Sequence, residues 1–211
     1  MCGIITAAGL SNRMGDFKPL LPWKGHSLIR YQVQTLKSAG CHYVVVVTGY
    51  RSKDIEKEFQ GNDVIIAHNI DYKSGRVSSI KVGVMAAPVD VGAYLFLSVD
   101  QPRTVQIIST VVESHDNSGA MVTSPRYQGS GGHPVIFSAD LRDQILKISE
   151  NTNGMREIFE ENRHRLNEIH ISDRRVKLDL NTEEDYLSAF SESVSYTHLR
   201  AHETDSYLVC R

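Results

Sequence analysis

Cysteine is scarce in this 211-residue chain: it occurs only as Cys2, Cys41 and Cys210, with no C-x-x-C pair. Three scattered thiols exclude a disulfide framework and read as buried or idle groups in a reducing compartment. No charge sign dominates, with 23 Lys and Arg against 25 Asp and Glu and a formal net charge of −2. The basic field that would hold a nucleic-acid backbone is therefore missing, which argues against that class of partner. Long hydrophobic runs are missing as well. The longest, residues 44–47 and 94–97, have the length of a strand and are far too short to cross a membrane. The chain enters a strand at once, leaving no room for a signal peptide, so a cytoplasmic location is expected. His26, His42, His68, His115, His164 and His170 show no ligand spacing such as H-x-x-x-H. No Ser/His/Asp triad, cysteine nucleophile, internal repeat or low-complexity linker is evident.

What is present is an ordinary globular composition, 41% hydrophobic and 23% charged, long enough for one domain with a full core. Apolar, β-branched runs at residues 3–5, 43–48, 63–67 and 93–98 read as strands. They alternate with helical patterns at 27–38, 52–59, 77–86 and 104–114. Ser27 and Ser52 are the expected N-caps of the first two helices, and Gly40 is the expected residue just past the first. Beyond these, 120–123 and 134–137 read as strands around a glycine-rich turn. Helices follow at 140–148 and 154–161, short strands at 168–171 and 176–180, and a last helix at 182–190 with Thr182 as its cap. The alternation predicts a Rossmann-like, three-layer α/β/α fold with a mostly parallel sheet, whose ligands sit at the carboxyl ends of the strands. One domain over residues 1–193 is expected. Residues 194–211 show no clean period of 3.6 or 2 and read as a non-native or disordered tail.

The densest signal is Thr6-Ala7-Ala8-Gly9-Leu10-Ser11-Asn12-Arg13-Met14-Gly15-Asp16-Phe17-Lys18, directly after the first strand. Small residues let a ligand approach the backbone. Successive N–H groups in such a turn form an anion-binding concavity, with Arg13 and Lys18 placing two cations beside it. The combination suits a nucleoside triphosphate, yet it is neither a Walker A loop nor G-x-G-x-x-G. The residues alone fit an ordinary β–α loop with two surface cations equally well. A second signal is Leu97-Ser98-Val99-Asp100-Gln101-Pro102, where an apolar strand delivers a carboxylate to the same edge. Magnesium takes one or two carboxylates plus phosphate oxygens. A plain turn and helix start is the alternative reading.

The extended pattern A-A-G-x-S-x-R-M-G-x-x-K, followed by Leu20-Leu21-Pro22-Trp23-x-Gly25, resembles the signature loop of the MobA-like NTP transferases. These include the molybdenum cofactor guanylyl- and cytidylyltransferases, and the chain is most similar to the cytidylyltransferase branch. The resemblance spans roughly residues 3–190 and implies a fold of the nucleotide-diphospho-sugar transferase type. It implies that Asp100 holds the metal, with Val99 where the family carries glycine. Lys177-Leu178-Asp179-Leu180-Asn181-Thr182-Glu183-Glu184-Asp185-Tyr186 resembles the family's closing Asp-x-Asp-Thr-Pro-Glu-Asp-Tyr and makes Asp179 the second candidate metal ligand. Residues 69–80 resemble the segment that lies along the base and ribose. Tyr72 stands for its aromatic, Arg76 replaces the usual Met, and Ser79 is a candidate contact, with helix capping the alternative for Ser78 and Ser79. Gly129 to Phe137 resembles Gly-x-x-Gly-His-Pro-Val-x-Phe, so His133 is the candidate acceptor-binding residue.

By this resemblance Ala7, Ala8, Gly9, Leu10, Ser11, Arg13, Lys18 and Ser79 bind the nucleotide, and Arg13, Lys18 and Asp100 serve catalysis. The implied activity is Mg2+-dependent transfer of CMP from CTP to molybdenum-bound molybdopterin with release of pyrophosphate. A molybdenum hydroxylase or its chaperone is the implied protein partner. Alternatives are a related transferase using GTP or acting on a sugar or polyol phosphate, and a non-catalytic nucleotide-binding accessory protein. A dinucleotide-dependent oxidoreductase is the weakest option, because the glycine fingerprint is absent.

Overall fold

The computed structural model describes residues 1–10, 14, 16–59, 61, 64–150 and 154–192. The 194–211 tail, Ser11 and Arg13 lie outside the described residues.

The expected architecture is present. Seven strands run in the order β5 (Ile65–His68), β4 (Tyr43–Thr48), β1 (Cys2–Ala7), β6 (Ala93–Ser98), β9 (Val135–Ser138), β7 (Val122–Tyr127) and β10 (Leu166–His170). An eighth, β8 (Ser130–Gly131), pairs with β7. Neighbours β5–β4, β4–β1, β1–β6 and β7–β10 are parallel, whereas β9 is antiparallel to both β6 and β7. Reversal of β9 is what lets β7 run in the same direction as β6.

The central strands are apolar on both faces, and alternate residues feed two separate cores. Ile5, Val44, Val46, Leu95 and Leu97 face one side with helices α1 (Leu28–Ser38) and α4 (Val105–Ser118). Ile4, Val45, Val47, Tyr94 and Phe96 face the other with α3 (Arg76–Ala86), α5 (Arg142–Lys147) and α6 (Met155–Glu161). Helix α3 lies close on the sheet because Gly83 has no side chain. A Cβ there would stand 2.5 Å from Ile4 Cγ2.

Local chemistry explains the boundaries. Ser27 caps α1 by accepting from the Arg30 N–H, and Gly40 follows at φ 97°. Thr104 caps α4 through the Ile107 N–H. The last helix, over residues 183–192, starts with a reciprocal cap: the Asp185 N–H donates to Thr182 Oγ1, and the Thr182 N–H donates to Asp185 Oδ2.

Several expectations are corrected. Helix α2 (Ser52–Lys57) is not capped by Ser52, which is its first residue. Arg51 precedes it at φ 52°, and the Arg51 and Lys57 side chains bind Asp54 instead. Residues 176–180 do not form a strand. Asp173 accepts from the Arg175 N–H and starts a 3-10 turn, Arg174–Lys177. The chain beyond is held by loops, with Val176 O taking the His133 N–H and the Leu180 N–H donating to Asp100 O. Strand β7 runs past the expected residue 123. Its pairing with β9 covers only Val122 and Thr123, so Pro125 interrupts no bond on that side. A small hairpin, β2 (Pro22–Trp23) with β3 (His26–Ser27), turns on Lys24 and Gly25, both at positive φ.

Candidate active site

Strands β1 and β6 are adjacent and parallel, with Thr6 opposite Ser98, so their carboxyl ends open on the same edge. The Val99 N–H donates to Thr6 O at 3.0 Å and ties the two exits together. Above them lies a cavity of about 340 Å3, lined by Thr6, Ala7, Ala8, Gly9, Lys18, Tyr72, Arg76, Ser79 and Asp100 among others. Five predicted nucleotide-binding residues, Ala7, Ala8, Gly9, Lys18 and Ser79, thus meet at one place together with Asp100. Leu10 does not line this cavity and is 39% exposed.

Lys18 reaches the cavity from a single 3-10 turn, Lys18–Leu20. Its neighbour Phe17 is buried, packs edge-on to Tyr50 with centroids 5.9 Å apart, and has the Arg51 guanidinium 4.5 Å from its ring centre. This packing holds the turn down and buries Lys18, which is 7% exposed. Its Nζ stands 3.3 Å from Asp100 Oδ2. A buried ammonium requires such an opposite charge.

Ser79 is placed by Asn69. The buried Asn69 amide donates to both Ser78 Oγ (2.8 Å) and Ser79 Oγ (3.0 Å), and Asn69 Oδ1 accepts from the Asp71 N–H. Neither serine caps α3, whose N-cap is Gly75 with no side-chain bond. Gly49 matches the close approach of this segment to the first loop, since a Cβ there would stand 2.8 Å from Ala8 O and 2.7 Å from Tyr72 Cβ.

Asp179 is placed differently. Its Oδ1 accepts from Gln101 Nε2 at 2.9 Å and lies 3.9 Å from Arg103 Nη2. It lines a separate cavity, on the side of Trp23, Lys24 and Arg103, rather than the one holding Asp100. The two segments still touch, because the Leu180 N–H donates to the Asp100 carbonyl.

Sequence reasoning missed Arg103. It is 1% exposed and joins three loops. Nε donates to His133 O (2.9 Å), while Nη1 donates to Leu178 O (2.6 Å) and Pro102 O (3.2 Å). Burial lowers its pKa to about 10, opposed by Asp179, Asp100 and Asp173, so it stays charged at neutral pH. The usable signal was an arginine directly after Asp-Gln-Pro. Gln101 was also unremarked. Its Oε1 accepts from the Ser98 N–H, so one side chain fixes both the exit of β6 and Asp179.

His133 faces a neighbouring cavity of about 540 Å3 that shares Thr6, Arg76 and Ser98 with the first. Phe96, Phe137 and Phe159 line its apolar side. Burial, with the nearby Arg103 charge, pushes the His133 imidazole down to about 4, and its Nδ1 is buried without a hydrogen-bond partner among the described residues. The ring is therefore neutral at pH 7.

Among the described residues, no three His, Cys, Asp or Glu side chains group as a metal cluster. A single carboxylate such as Asp100 at the cavity is nevertheless the kind of donor that suits magnesium when phosphate oxygens and water complete its shell. No described helix is long and apolar enough to cross a membrane.

Comparison with known proteins identifies the family and the fold. The profile of the MobA-like NTP transferase domain matches residues 3–167. The molybdenum cofactor cytidylyltransferase of Escherichia coli is 31% identical over 188 residues, covering 88% of this chain and 93% of that protein. The nicotine blue oxidoreductase of Paenarthrobacter nicotinovorans is 29% identical over 190 residues, covering 86% and 92%. A solved nucleotidyl transferase from Methanothermobacter shares the fold with a TM-score of 0.79, at 24% identity over 92% of this chain and 98% of that one.

Proposed function

This chain belongs to the MobA-like NTP transferase family of nucleotidyltransferases, and we propose that it is a cytoplasmic, Mg2+-dependent cytidylyltransferase acting on molybdenum-bound molybdopterin. The observation that carries this reading is the Lys18–Asp100 pair, 3.3 Å apart, at the cavity floored by Thr6 to Gly9. The similarity to the E. coli cytidylyltransferase supports CTP as donor and the molybdenum cofactor as acceptor.

The reaction is an in-line displacement. An oxygen of the acceptor's terminal phosphate bonds to the α-phosphorus of CTP, the bond to the bridging oxygen breaks, and pyrophosphate leaves with the electron pair. Such chemistry needs positioning and charge neutralisation rather than a protein nucleophile. The N–H groups of the first loop and the Lys18 ammonium receive the triphosphate, and Arg13 adds a second cation. Ser79, oriented by Asn69, meets the nucleoside. Asp100 would hold the magnesium, with Asp179 of the adjoining segment as the proposed second ligand, and the ion would supply Lewis-acid neutralisation of the phosphate oxygens. The cavity beside His133 receives the acceptor. A molybdenum hydroxylase or its chaperone is the partner that takes the product.

Pyrophosphate release with molybdopterin and each of CTP, GTP and ATP tests this reading. It predicts Mg2+-dependent release with CTP and little with the others. Release with GTP alone would transfer the chain to the guanylyl branch. Absence of release with any of the three nucleotides would contradict it.

A further inference from the structure

Two arginines stand at the shared rim of the acceptor cavity and the open trough beside it. Arg76 is the first residue of α3 and Arg156 the second of α6. Both line the cavity of about 540 Å3 and the neighbouring trough of about 1150 Å3. Both are exposed, and neither makes a hydrogen bond or ion pair among the described residues. The other arginines of the trough are neutralised: Arg126 pairs with Glu168, and Arg163 with Glu160 at 2.9 Å. Glu150, the carboxylate lining the inner cavity, is engaged by the Val77 N–H at 2.7 Å. The mouth of the inner cavity therefore carries two guanidiniums against the single Glu150 carboxylate, a net positive charge.

Behind them the cavity is aromatic. Phe137 makes edge-to-face contacts with Phe96 (5.7 Å) and Phe159 (5.4 Å), forming a continuous wall. Such a surface accepts a flat ring, and a guanidinium binds a phosphate through paired N–H groups. Arg76 also lines the Lys18–Asp100 cavity. It therefore stands at the boundary where an acceptor phosphate must approach a donor phosphate against like-charge repulsion.

We propose that Arg76 and Arg156 select the acceptor by gripping a terminal phosphate monoester on a flat heterocycle whose ring lies against the phenylalanine wall. This rests on the acceptor cavity assigned above and adds the residues that read the acceptor and the feature they read.

The test is a binding titration of the full chain with three probes: 6-hydroxymethylpterin monophosphate, 6-hydroxymethylpterin and inorganic phosphate. The monophosphate should bind roughly tenfold or more tightly than either other probe, as charge-assisted hydrogen bonds require. Arg76→Met and Arg156→Gln should each remove most of that preference and leave binding of unphosphorylated pterin unchanged. Both positions are exposed, and thermal melting confirms folding of each variant. The proposal is overturned if the monophosphate does not bind, if the two pterins bind equally, or if inorganic phosphate binds as tightly as the phosphopterin. It is equally overturned if both variants keep the preference. A retained, arginine-dependent preference in a protein that releases no pyrophosphate from CTP would sink the cytidylyltransferase reading and leave this one standing.

Discussion

Lys18 and Asp100, 82 positions apart in sequence, meet with Nζ 3.3 Å from Oδ2 at the rim of the loop that leaves β1. The contact follows from topology: β1 and β6 are parallel neighbours, and the packed Phe17 turn drops Lys18 over their ends.

Removing either partner should act on turnover. Asp100→Ala should lower kcat by roughly 100- to 1000-fold, and Lys18→Ala by a similar order, as for other groups that stabilise developing charge. Asp100→Ala keeps the bond from the Leu180 N–H to the backbone carbonyl but removes the charge beside buried Lys18, so a thermal melt showing a folded variant accompanies the kinetic measurement. Steady-state pyrophosphate release checks both. A fully active Asp100→Ala variant would remove the metal assignment.

Arg103 should matter for stability. Arg103→Ala leaves the carbonyls of His133 and Leu178 without their donor, a loss of about 3 kcal/mol. That corresponds to a melting point lower by roughly 6–12 °C for a chain of this size. Arg103→Lys keeps the charge and cannot span both acceptors, so it should recover only part of the loss.

Asp179 accepts from Gln101 through Oδ1 and lines the cavity beside Arg103, and the metal role proposed for it has a direct test. Asp179→Asn should raise the Mg2+ concentration needed for half-maximal turnover by roughly tenfold, the scale of one charge-assisted contact, while the loss of kcat in Asp100→Ala should not be recovered by added Mg2+. An unchanged Mg2+ requirement in Asp179→Asn would make Asp179 a purely structural residue.

His133 should give stability a pH dependence. Its imidazole is pushed down to about 4 in the folded chain from an ordinary 6.5. Between those values the unfolded chain binds a proton that the folded chain does not, so stability rises with pH through this window and is lost as pH falls from about 6.5 to 4. The span amounts to about 3 kcal/mol. Urea unfolding at pH 4.5 and 7.5 should show His133→Asn losing less stability on acidification than the parent chain. Equal losses would show that His133 does not carry the effect.

Much of this was legible in the sequence because the signals were local. The β-branched run at Tyr43–Thr48 announces a strand buried on both faces, and Ser27 and Thr182 announce helix starts. The small residues after β1 and the carboxylate after β6 mark the two strand exits that form the cleft. What escaped depends on contacts distant in sequence. Residues 176–180 look like a strand, yet their polar groups are taken by His133, Arg103 and Asp100. Arg103 reads as a surface cation until three loops close over it. Arg76 and Arg156 share a rim only because α3 and α6 pack on the same face of the sheet.

Calorimetric titration of CTP into the parent chain and into Asp100→Ala, with and without Mg2+, bears most directly on the cleft as a magnesium–nucleotide site. The parent chain should bind CTP far more tightly with Mg2+ than without, and more tightly than GTP or ATP. Asp100→Ala should lose the magnesium-dependent gain. Equal affinity of the two proteins for CTP in Mg2+ would contradict the assignment.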